Sequence, residues 1–358
     1  MENNNQLNRS KRIIGLDYFR IAAAFITFAF HSVIHMGCNY GIFQEFFLMG
    51  AVFMTGFIML SGYSLYYTYY NKDFSKIEEL KSFYKKRLMG ILPGYYAVVF
   101  VYFLGCTSER LLGRVLLFPI DLLGVQTVYS SLFSVTHYGG TWFISCILFC
   151  YLLFPFFVGI IRQLTIKEKT VILLMMVFLL LYSPIIVHFF RLSNIYSNPF
   201  FRLLEFLVGM ILASMQQELK KNKVIKHIFF NKKAILFEGI LLIMTITIAV
   251  KLQIFIGNYM LYSWICLPVF CIMLPALESF KGRDNKVVMY ASEITYAFFL
   301  AQLFIWKIMY QLIEIFDIQR NSLKIVASFC VCILIAVGIH ELIEKPVKKI
   351  LRKVLGNS

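Results

Sequence analysis

Long apolar blocks separated by short charged segments dominate the pattern of the chain. Most blocks hold about 20 residues, which as a helix cross a hydrocarbon core of ~30 Å, and the short alternating segments of a membrane β-barrel are absent. The blocks predict ten transmembrane helices, over residues 13–36, 43–70, 88–105, 141–161, 170–190, 200–216, 234–252, 258–278, 288–312 and 324–345. The predicted fold class is therefore an all-α polytopic membrane protein.

The composition agrees with this pattern and limits where chemistry can occur. Hydrophobic residues fill 59% of the 358 positions, charged residues fill 15%, and the mean hydropathy is +0.73, whereas about a quarter of the residues in a soluble domain are charged. No polar stretch exceeds about 35 residues, which is too short for a soluble catalytic module. We therefore treat residues 1–358 as one integral-membrane domain, with any reaction inside or beside the bilayer.

The net charge of +16 is concentrated in alternate loops. Most of the cations lie in the first 12 residues, in segments 72–87, 162–169, 220–233 and 281–286, and from residue 345 onward. The positive-inside rule then places both termini in the cytoplasm, with residues 1–12 and 346–358 as cytoplasmic tails. This distribution indicates orientation in a membrane rather than binding to nucleic acid.

Two connecting segments differ from the others. Residues 71–87 are highly charged and predict a cytoplasmic helix, and residues 106–140 form the longest predicted external loop. The eight Cys residues fall mostly inside apolar blocks, and none has a metal-ligand spacing with His. We therefore expect no metal site.

The first apolar block carries four polar or charged residues, Asp17, Arg20, His31 and His35. Arg20 and His31 are 11 residues apart, about three helical turns, so their side chains leave the same helix face. Asp17 and His35 join this stripe by i,i+3 and i,i+4 spacing. Any one of these residues could be structural, for example as an Asp17–Arg20 ion pair, but charges inside a membrane are costly and the complete stripe favours a functional site. In that site His31 is the candidate general base.

The same residues resemble a known family motif. Arg20, ten intervening residues and His31, preceded by Gly15-Leu16-Asp17, resemble the R-x10-H motif of the acyltransferase-3 family of membrane-bound O-acyltransferases. Further segments resemble motifs of this family in the same order along the chain: Leu60 to Tyr63 (LSGY), Phe83 to Pro93, Trp142 to Pro155, Arg202 to Gly209 (RLLEFLVG) and Glu344 to Pro346 (EKP). The resemblance covers nearly the whole chain.

Three positions depart from the family pattern. Gly90 stands in place of the second arginine of the basic motif, Cys146 to Phe149 replace an acidic pair, and Gln302 stands where a histidine is frequent. The first departure changes the basic segment that would anchor coenzyme A. The second indicates a different subgroup rather than a different reaction.

The resemblance implies a reaction and a location. An acyl group, most often acetyl, would move from cytoplasmic acyl-coenzyme A to a sugar hydroxyl of a surface polysaccharide or its lipid-linked precursor. The donor is a substrate, and no permanently bound cofactor is expected. His31 would be either the base toward the acceptor hydroxyl or a carrier of the acyl group, and both roles stay open. The implied location is a bacterial cytoplasmic membrane, where membrane lipid surrounds the protein.

Cations near the cytoplasmic ends of two helices are candidates for binding the phosphates of coenzyme A. They are Arg20, Lys85, Lys86 and Arg87. The last three equally suit ordinary positive-inside anchoring. Asp17 is assigned to the catalytic stripe as the partner of Arg20.

Candidates on the acceptor side lie toward the predicted external face. They are His35, His137, Trp142, Arg202 and Glu205. Trp142 also suits the aromatic belt of a membrane protein, and Arg202 and Glu205 are expected to pair because they are three residues apart on one helix. Further polar candidates in or near the bilayer are Glu238, Glu293, His340 and Glu341.

Two other classes of function remain open from the sequence. A transporter or export accessory for a glycan or small solute would line its path with the same intramembrane charges. A membrane partner in a polysaccharide-assembly complex, without chemistry of its own, would tolerate substitutions in the first-helix stripe. Assembly with such partners or as a homo-oligomer also stays open.

Overall fold

The computed structural model describes residues 12–106, 111–127, 141–190, 196–219, 232–256, 263–278, 280 and 285–354. Within these ranges the regular structure is entirely helical, and each predicted range overlaps a helix. The helices are α1 (Ile14–Met36), α2 (Gln44–Leu48), α3 (Phe53–Tyr69), α4 (Ile77–Val101), α5 (Leu111–Leu123), α6 (Trp142–Gln163), α7 (Ile166–Phe190), α8 (Pro199–Leu219), α9 (Lys232–Ile256), α10 (Leu267–Glu278), α11 (Lys286–Ile315), α12 (Asn321–Gly338) and α13 (Lys345–Val354). Two π-helical turns, Tyr102–Cys106 and Ile339–Glu344, follow α4 and α12.

Fewer than ten helices meet a strict criterion for crossing a membrane. Among the described residues, six are long and apolar enough, namely α1, α4, α6, α8, α11 and α12. The spans of α4 and α12 include the residues that follow them, up to Leu104 and Val354. The segments Gly41–Leu48 and Gly50–Tyr69 are bent by 41° relative to each other and add a seventh if they form one span. The protein is therefore an all-α membrane protein, while the count of ten and the side of the termini stay predictions.

Helix α4 is longer than the sequence pattern predicts. It begins at Ile77, so the charged segment expected to be a separate helix continues without a break into the apolar span. Glu78 and Glu79 lie in its first turn, where carboxylates favour the positive end of the helix dipole. A single helix therefore carries both the basic residues and part of the bundle core.

The predicted external loop contains the apolar helix α5. Its 13 residues span about 20 Å, which is too short to cross the hydrocarbon core. Tyr95 and Tyr96 of α4 donate hydrogen bonds to the carbonyl oxygens of Asp121 and Leu122. These bonds hold the C-terminal end of α5 against α4.

Helices α3 and α8 cross in direct backbone contact at two glycines. A Cβ atom added to Gly62 would lie 2.0 Å from the carbonyl oxygen of Phe206, and one added to Gly209 would lie 2.0 Å from that of Met59. Glycine permits such a close approach of two helices in a membrane. Because Gly62 and Gly209 belong to the LSGY and RLLEFLVG segments, this crossing brings two of the family-like motifs together.

The two described ends of the chain lie at the same end of the bundle. Arg12, just before α1, forms an ion pair of 2.8 Å with Glu293 near the start of α11. Tyr290 of α11 in turn donates a hydrogen bond of 2.9 Å to Glu341, just before α13. This end is the one that the charge distribution predicts to be cytoplasmic.

Candidate active site

A cavity of about 320 Å³ lies among α1, α3, α4, α6 and α11. Three cationic side chains line it, Arg20 of α1 with Lys86 and Arg87 of α4, and no carboxylate is among the lining residues. Most of the remaining wall is apolar, including Met54, Phe57, Leu60, Phe143, Ile147 and Phe299. This combination fits a ligand that has an anionic part and a less polar part.

Arg20 is fixed by two polar partners. Its Nη1 donates to Asp17 Oδ1 at 2.9 Å, and its Nη2 donates to Ser64 Oγ at 3.0 Å. The side chain remains 30% exposed. Arg20 is therefore oriented by the protein and still available to a ligand in the cavity.

Asp17 lies behind Arg20 and does not line the cavity. It is 1% exposed and accepts two further hydrogen bonds, from Arg12 Nε and from Ser292 Oγ, each of 2.6 Å. The predicted Asp17–Arg20 pair is present. Through this hydrogen bond Asp17 orients the guanidinium of Arg20.

The basic residues of α4 divide between two surfaces. Arg87 donates from Nη2 to the hydroxyl of Tyr69 at 3.0 Å, and its buried Nε has no hydrogen-bond partner among the described residues. Lys86 is exposed at the same cavity. Lys85 instead lines an apolar groove between α4 and α13. The structure thus brings Arg20, Lys86 and Arg87 together and separates Lys85 from them.

His31 lies beyond the cavity, about 16 Å from Arg20 by the rise along α1. Its ring is 5.1 Å from that of Phe30 and 6.1 Å from that of Trp306, measured between centroids. The buried Nδ1 atom has no hydrogen-bond partner within the described part of the chain. A hydrogen bond from Nδ1 to a neighbouring helix, which would suit a structural role, is therefore not seen there.

Three aromatic rings form a stack near the far end of α1. His35 stacks with His31 at 5.6 Å and with Trp306 at 5.7 Å. Trp306 is not among the residues that the sequence indicated as candidates. It follows the cavity-lining Thr295 by 11 residues, so the spacing that links Arg20 to His31 on α1 also links these two residues on α11. That repeated spacing was the available signal.

Arg202 and Glu205 form a second, fully internal ion pair. They are 1% and 0% exposed, and Arg202 Nη1 lies 2.8 Å from Glu205 Oε2. Glu205 also accepts hydrogen bonds from Thr55 Oγ1 at 2.9 Å and Trp264 Nε1 at 3.0 Å, while the guanidinium lies over the Trp142 ring at 5.0 Å. The predicted pair is present, but Arg202, Glu205 and Trp142 do not line the cavity.

The remaining candidates lie elsewhere. His137 falls outside the described residues. Glu293 pairs with Arg12, Glu341 pairs with Lys345, and His340 Nδ1 lies 2.9 Å from Glu344 Oε2. No group of three or more His, Cys, Asp or Glu side chains suited to a metal ion is found in the described ranges.

Comparison with known proteins gives a family assignment. Neither the curated proteins nor the solved structures contain a significant match to this chain. The profile of the acyltransferase-3 family matches residues 13–341 and is described as an acyltransferase domain. The matched segment contains α1 to α12, and with them the stripe of α1, the basic residues of α4 and the glycine crossing of α3 with α8. Since the match covers nearly the whole chain, this membrane protein belongs to the acyltransferase-3 family.

Proposed function

We propose that the protein is an acyl-coenzyme A-dependent O-acyltransferase of a bacterial cytoplasmic membrane. It transfers an acyl group, most simply acetyl, to a sugar hydroxyl of a surface polysaccharide or its lipid-linked precursor. The observation that carries the proposal is the cavity lined by Arg20, Lys86 and Arg87, from which α1 leads along one helix face to His31.

The chemistry of the donor matches the cationic side chains and the apolar wall of the cavity. Coenzyme A has phosphates at its nucleotide end and a thioester at the end of a long flexible arm. Guanidinium groups bind phosphate through paired hydrogen bonds and a lysine adds a point charge, so Arg20, Lys86 and Arg87 are suited to the nucleotide end. The apolar wall then accommodates the arm, and the thioester extends toward His31.

His31 supplies the base that the acceptor needs. It takes the proton from the sugar hydroxyl while the hydroxyl oxygen forms a bond to the thioester carbonyl carbon. The carbon–sulfur bond then breaks, and the coenzyme A thiolate leaves and receives the proton from the imidazolium. An imidazole whose buried Nδ1 has no hydrogen-bond partner in the described part of the protein suits this role.

Acyl transfer in proteoliposomes tests the proposal. Wild-type protein with labelled acetyl-coenzyme A and a host glycan extract should place label in the glycan. His31→Gln should lower transfer ~10²–10⁴-fold, the usual contribution of a general base, and Arg20→Met should raise the donor KM. Lys85→Met is the control, because Lys85 lies outside the cavity.

Two results would contradict the proposal. Transfer by His31→Gln at the wild-type rate would remove His31 from the chemistry. Absence of label with both acetyl- and succinyl-coenzyme A, together with unchanged glycan acylation after deletion of the gene, would instead favour a transporter or export accessory.

A further inference from the structure

Gln302 of α11 is buried, and its side-chain amide makes no hydrogen bond within the described ranges. Its side chain is 3% exposed, and neither Nε2 nor Oε1 has a hydrogen-bond partner among the described residues. Several described side chains have one buried polar atom without a hydrogen-bond partner. Among them, only Gln302 has two such atoms. A buried amide without hydrogen bonds destabilises a fold, so a native protein that retains one needs a reason for it.

The position of Gln302 follows from the register of α1 and α11. These helices run side by side in the same direction, because Asp17 bonds Ser292 near their starts and His31 lies beside Trp306 further along. In both pairs the residue of α11 follows its partner on α1 by 275 positions in the sequence. At this register Gln302 is level with Thr27.

Two matching stripes connect the cavity with His31. On α1 the stripe is Arg20, Ala24, Thr27 and His31, and on α11 it is Thr295, Phe299, Gln302 and Trp306, both with steps of four, three and four residues. Arg20, Thr295 and Phe299 line the cavity, and Trp306 adjoins His31. Gln302 therefore lies between the cavity and His31, about one helical turn short of the level of His31.

The other polar groups between the two sites are already bonded within their own helices. Thr27 Oγ1 donates to the carbonyl oxygen of Ala23 at 2.8 Å, and Thr295 Oγ1 donates to that of Ser292 at 2.8 Å. Ala24 and Phe299 have no polar side-chain atoms. On these stripes, Gln302 is the residue between Arg20 and His31 whose side-chain hydrogen-bond donor is unused within the described part of the chain.

We propose that Gln302 binds the acyl carbonyl of the donor, with Nε2–H donating to the carbonyl oxygen. This inference rests on the proposed acyl transfer and adds the group that binds the thioester. When the sugar oxygen bonds to the carbonyl carbon, the electron pair of the C=O bond moves to the carbonyl oxygen, and the bond from Nε2 strengthens as that charge develops. The electron pair returns as the carbon–sulfur bond breaks, and the proton passes through His31 to the departing thiolate. Gln302 Oε1 can accept from an amide N–H of the coenzyme A arm.

Substitution by leucine separates this role from a structural one. Gln302→Leu keeps most of the side-chain volume and removes an amide that has no hydrogen-bond partner among the described residues. Its unfolding temperature should therefore equal or exceed that of the wild type. Its kcat should fall ~10²–10³-fold, as for loss of one oxyanion-binding donor.

Gln126→Leu is the matched control. Gln126 is also buried, but its Nε2 donates to the carbonyl oxygen of Thr141 at 3.1 Å and to Thr141 Oγ1 at 2.8 Å. This variant should unfold at a lower temperature and keep the wild-type kcat per folded molecule. The two buried glutamines should thus show opposite patterns of stability and rate.

A binding measurement tests the same contact without catalysis. The probes are free coenzyme A and an unreactive ketone analogue of acetyl-coenzyme A, in which a methylene group replaces the sulfur atom. Wild-type protein should bind the ketone roughly threefold to tenfold more tightly than coenzyme A, as expected for one added hydrogen bond. Gln302→Leu should lose this preference while its affinity for coenzyme A is unchanged.

Failure of the role of Gln302 can be distinguished from failure of the proposed acyl transfer. A Gln302→Leu variant with wild-type kcat, or one that retains the preference for the ketone, overturns the role of Gln302 while acyl transfer stands. A variant destabilised as much as Gln126→Leu, with its kcat per folded molecule intact, assigns Gln302 a structural role. Wild-type protein that neither transfers acyl groups nor binds either probe overturns the proposed function and this inference together.

Discussion

Two arginine–carboxylate pairs at i,i+3 spacing, Asp17–Arg20 and Arg202–Glu205, are present among the described residues. Loss of each arginine should have a different result. Glu205 is fully buried and accepts four hydrogen bonds, of which Arg202 donates two at 2.8 Å. Arg202→Met leaves the buried carboxylate with only the hydroxyl of Thr55 and the indole of Trp264. Removal of one partner from such a pair costs about 3–5 kcal/mol of the free energy of unfolding.

Arg20→Met should cost far less stability. Asp17 keeps its bonds of 2.6 Å to Arg12 and Ser292, and the 30% exposure of Arg20 weakens its own contribution. We expect a loss of about 1 kcal/mol or less, as for partly solvated ion pairs. A double variant without Arg12 and Arg20 should lose more than the sum of the single losses, because Asp17 would then lack any cationic partner.

Thermal unfolding of detergent-solubilised protein, followed by size-exclusion chromatography after heating, measures these effects. At roughly 2 °C per kcal/mol, Arg202→Met should lower the midpoint by ~5–10 °C, and Arg20→Met should lower it by about 2 °C or less. Acyl transfer per folded molecule should fall strongly in Arg20→Met and persist in Arg202→Met. Equal midpoints for the two variants would refute this reasoning, as would a stable Arg202→Met protein without activity.

Two further predictions concern helix packing and donor binding. Gly209→Ala should destabilise the protein, because its Cβ would lie 2.0 Å from the carbonyl oxygen of Met59 and the backbone must shift. Gly159→Ala should be neutral or stabilising by about 0.5–1 kcal/mol, because beyond its own helix backbone and chain neighbours no described atom lies within 4 Å of the new Cβ. Equal midpoints for the two variants in the same heating assay would contradict this. Lys86→Met should raise the donor KM, and the increase should be larger at low ionic strength, whereas Lys85→Met should leave the donor KM unchanged. A larger effect of Lys85→Met would place the phosphates in the groove between α4 and α13.

The sequence predicts the positions of the helices better than their boundaries. Apolar blocks of sufficient length mark each main helix, because burial in hydrocarbon forces the backbone to satisfy its own hydrogen bonds. The charged residues 71–87 are predicted as a helix, but its continuation into the apolar span as one helix from Ile77 is not, because an apolar-block criterion begins the span only where the charges end. Helix α5 is missed because 13 residues are too few for a span, although they suffice to pack on α4.

The sequence predicts the ion pairs of the candidate site but not which residues share a cavity. Spacing within one helix is enough to place Asp17 with Arg20 and Arg202 with Glu205. The grouping of Arg20 with Lys86 and Arg87, and the exclusion of Lys85, depend on how α4 is rotated against α1. Likewise Trp306 meets His31 only through the register between two helices that are distant in the sequence.

The glycine crossing of α3 with α8 makes one side of the cavity rigid. Helices that touch through their backbones at Gly62 and Gly209 have little freedom to separate, so the wall formed by α3 is a fixed boundary. Helix α4 contributes another part of the wall, including the cations Lys86 and Arg87. Arg87 donates a hydrogen bond of 3.0 Å to the hydroxyl of Tyr69, the last residue of α3. The fixed wall therefore also holds one of the two α4 cations in place, so an incoming phosphate group meets a guanidinium that is already oriented.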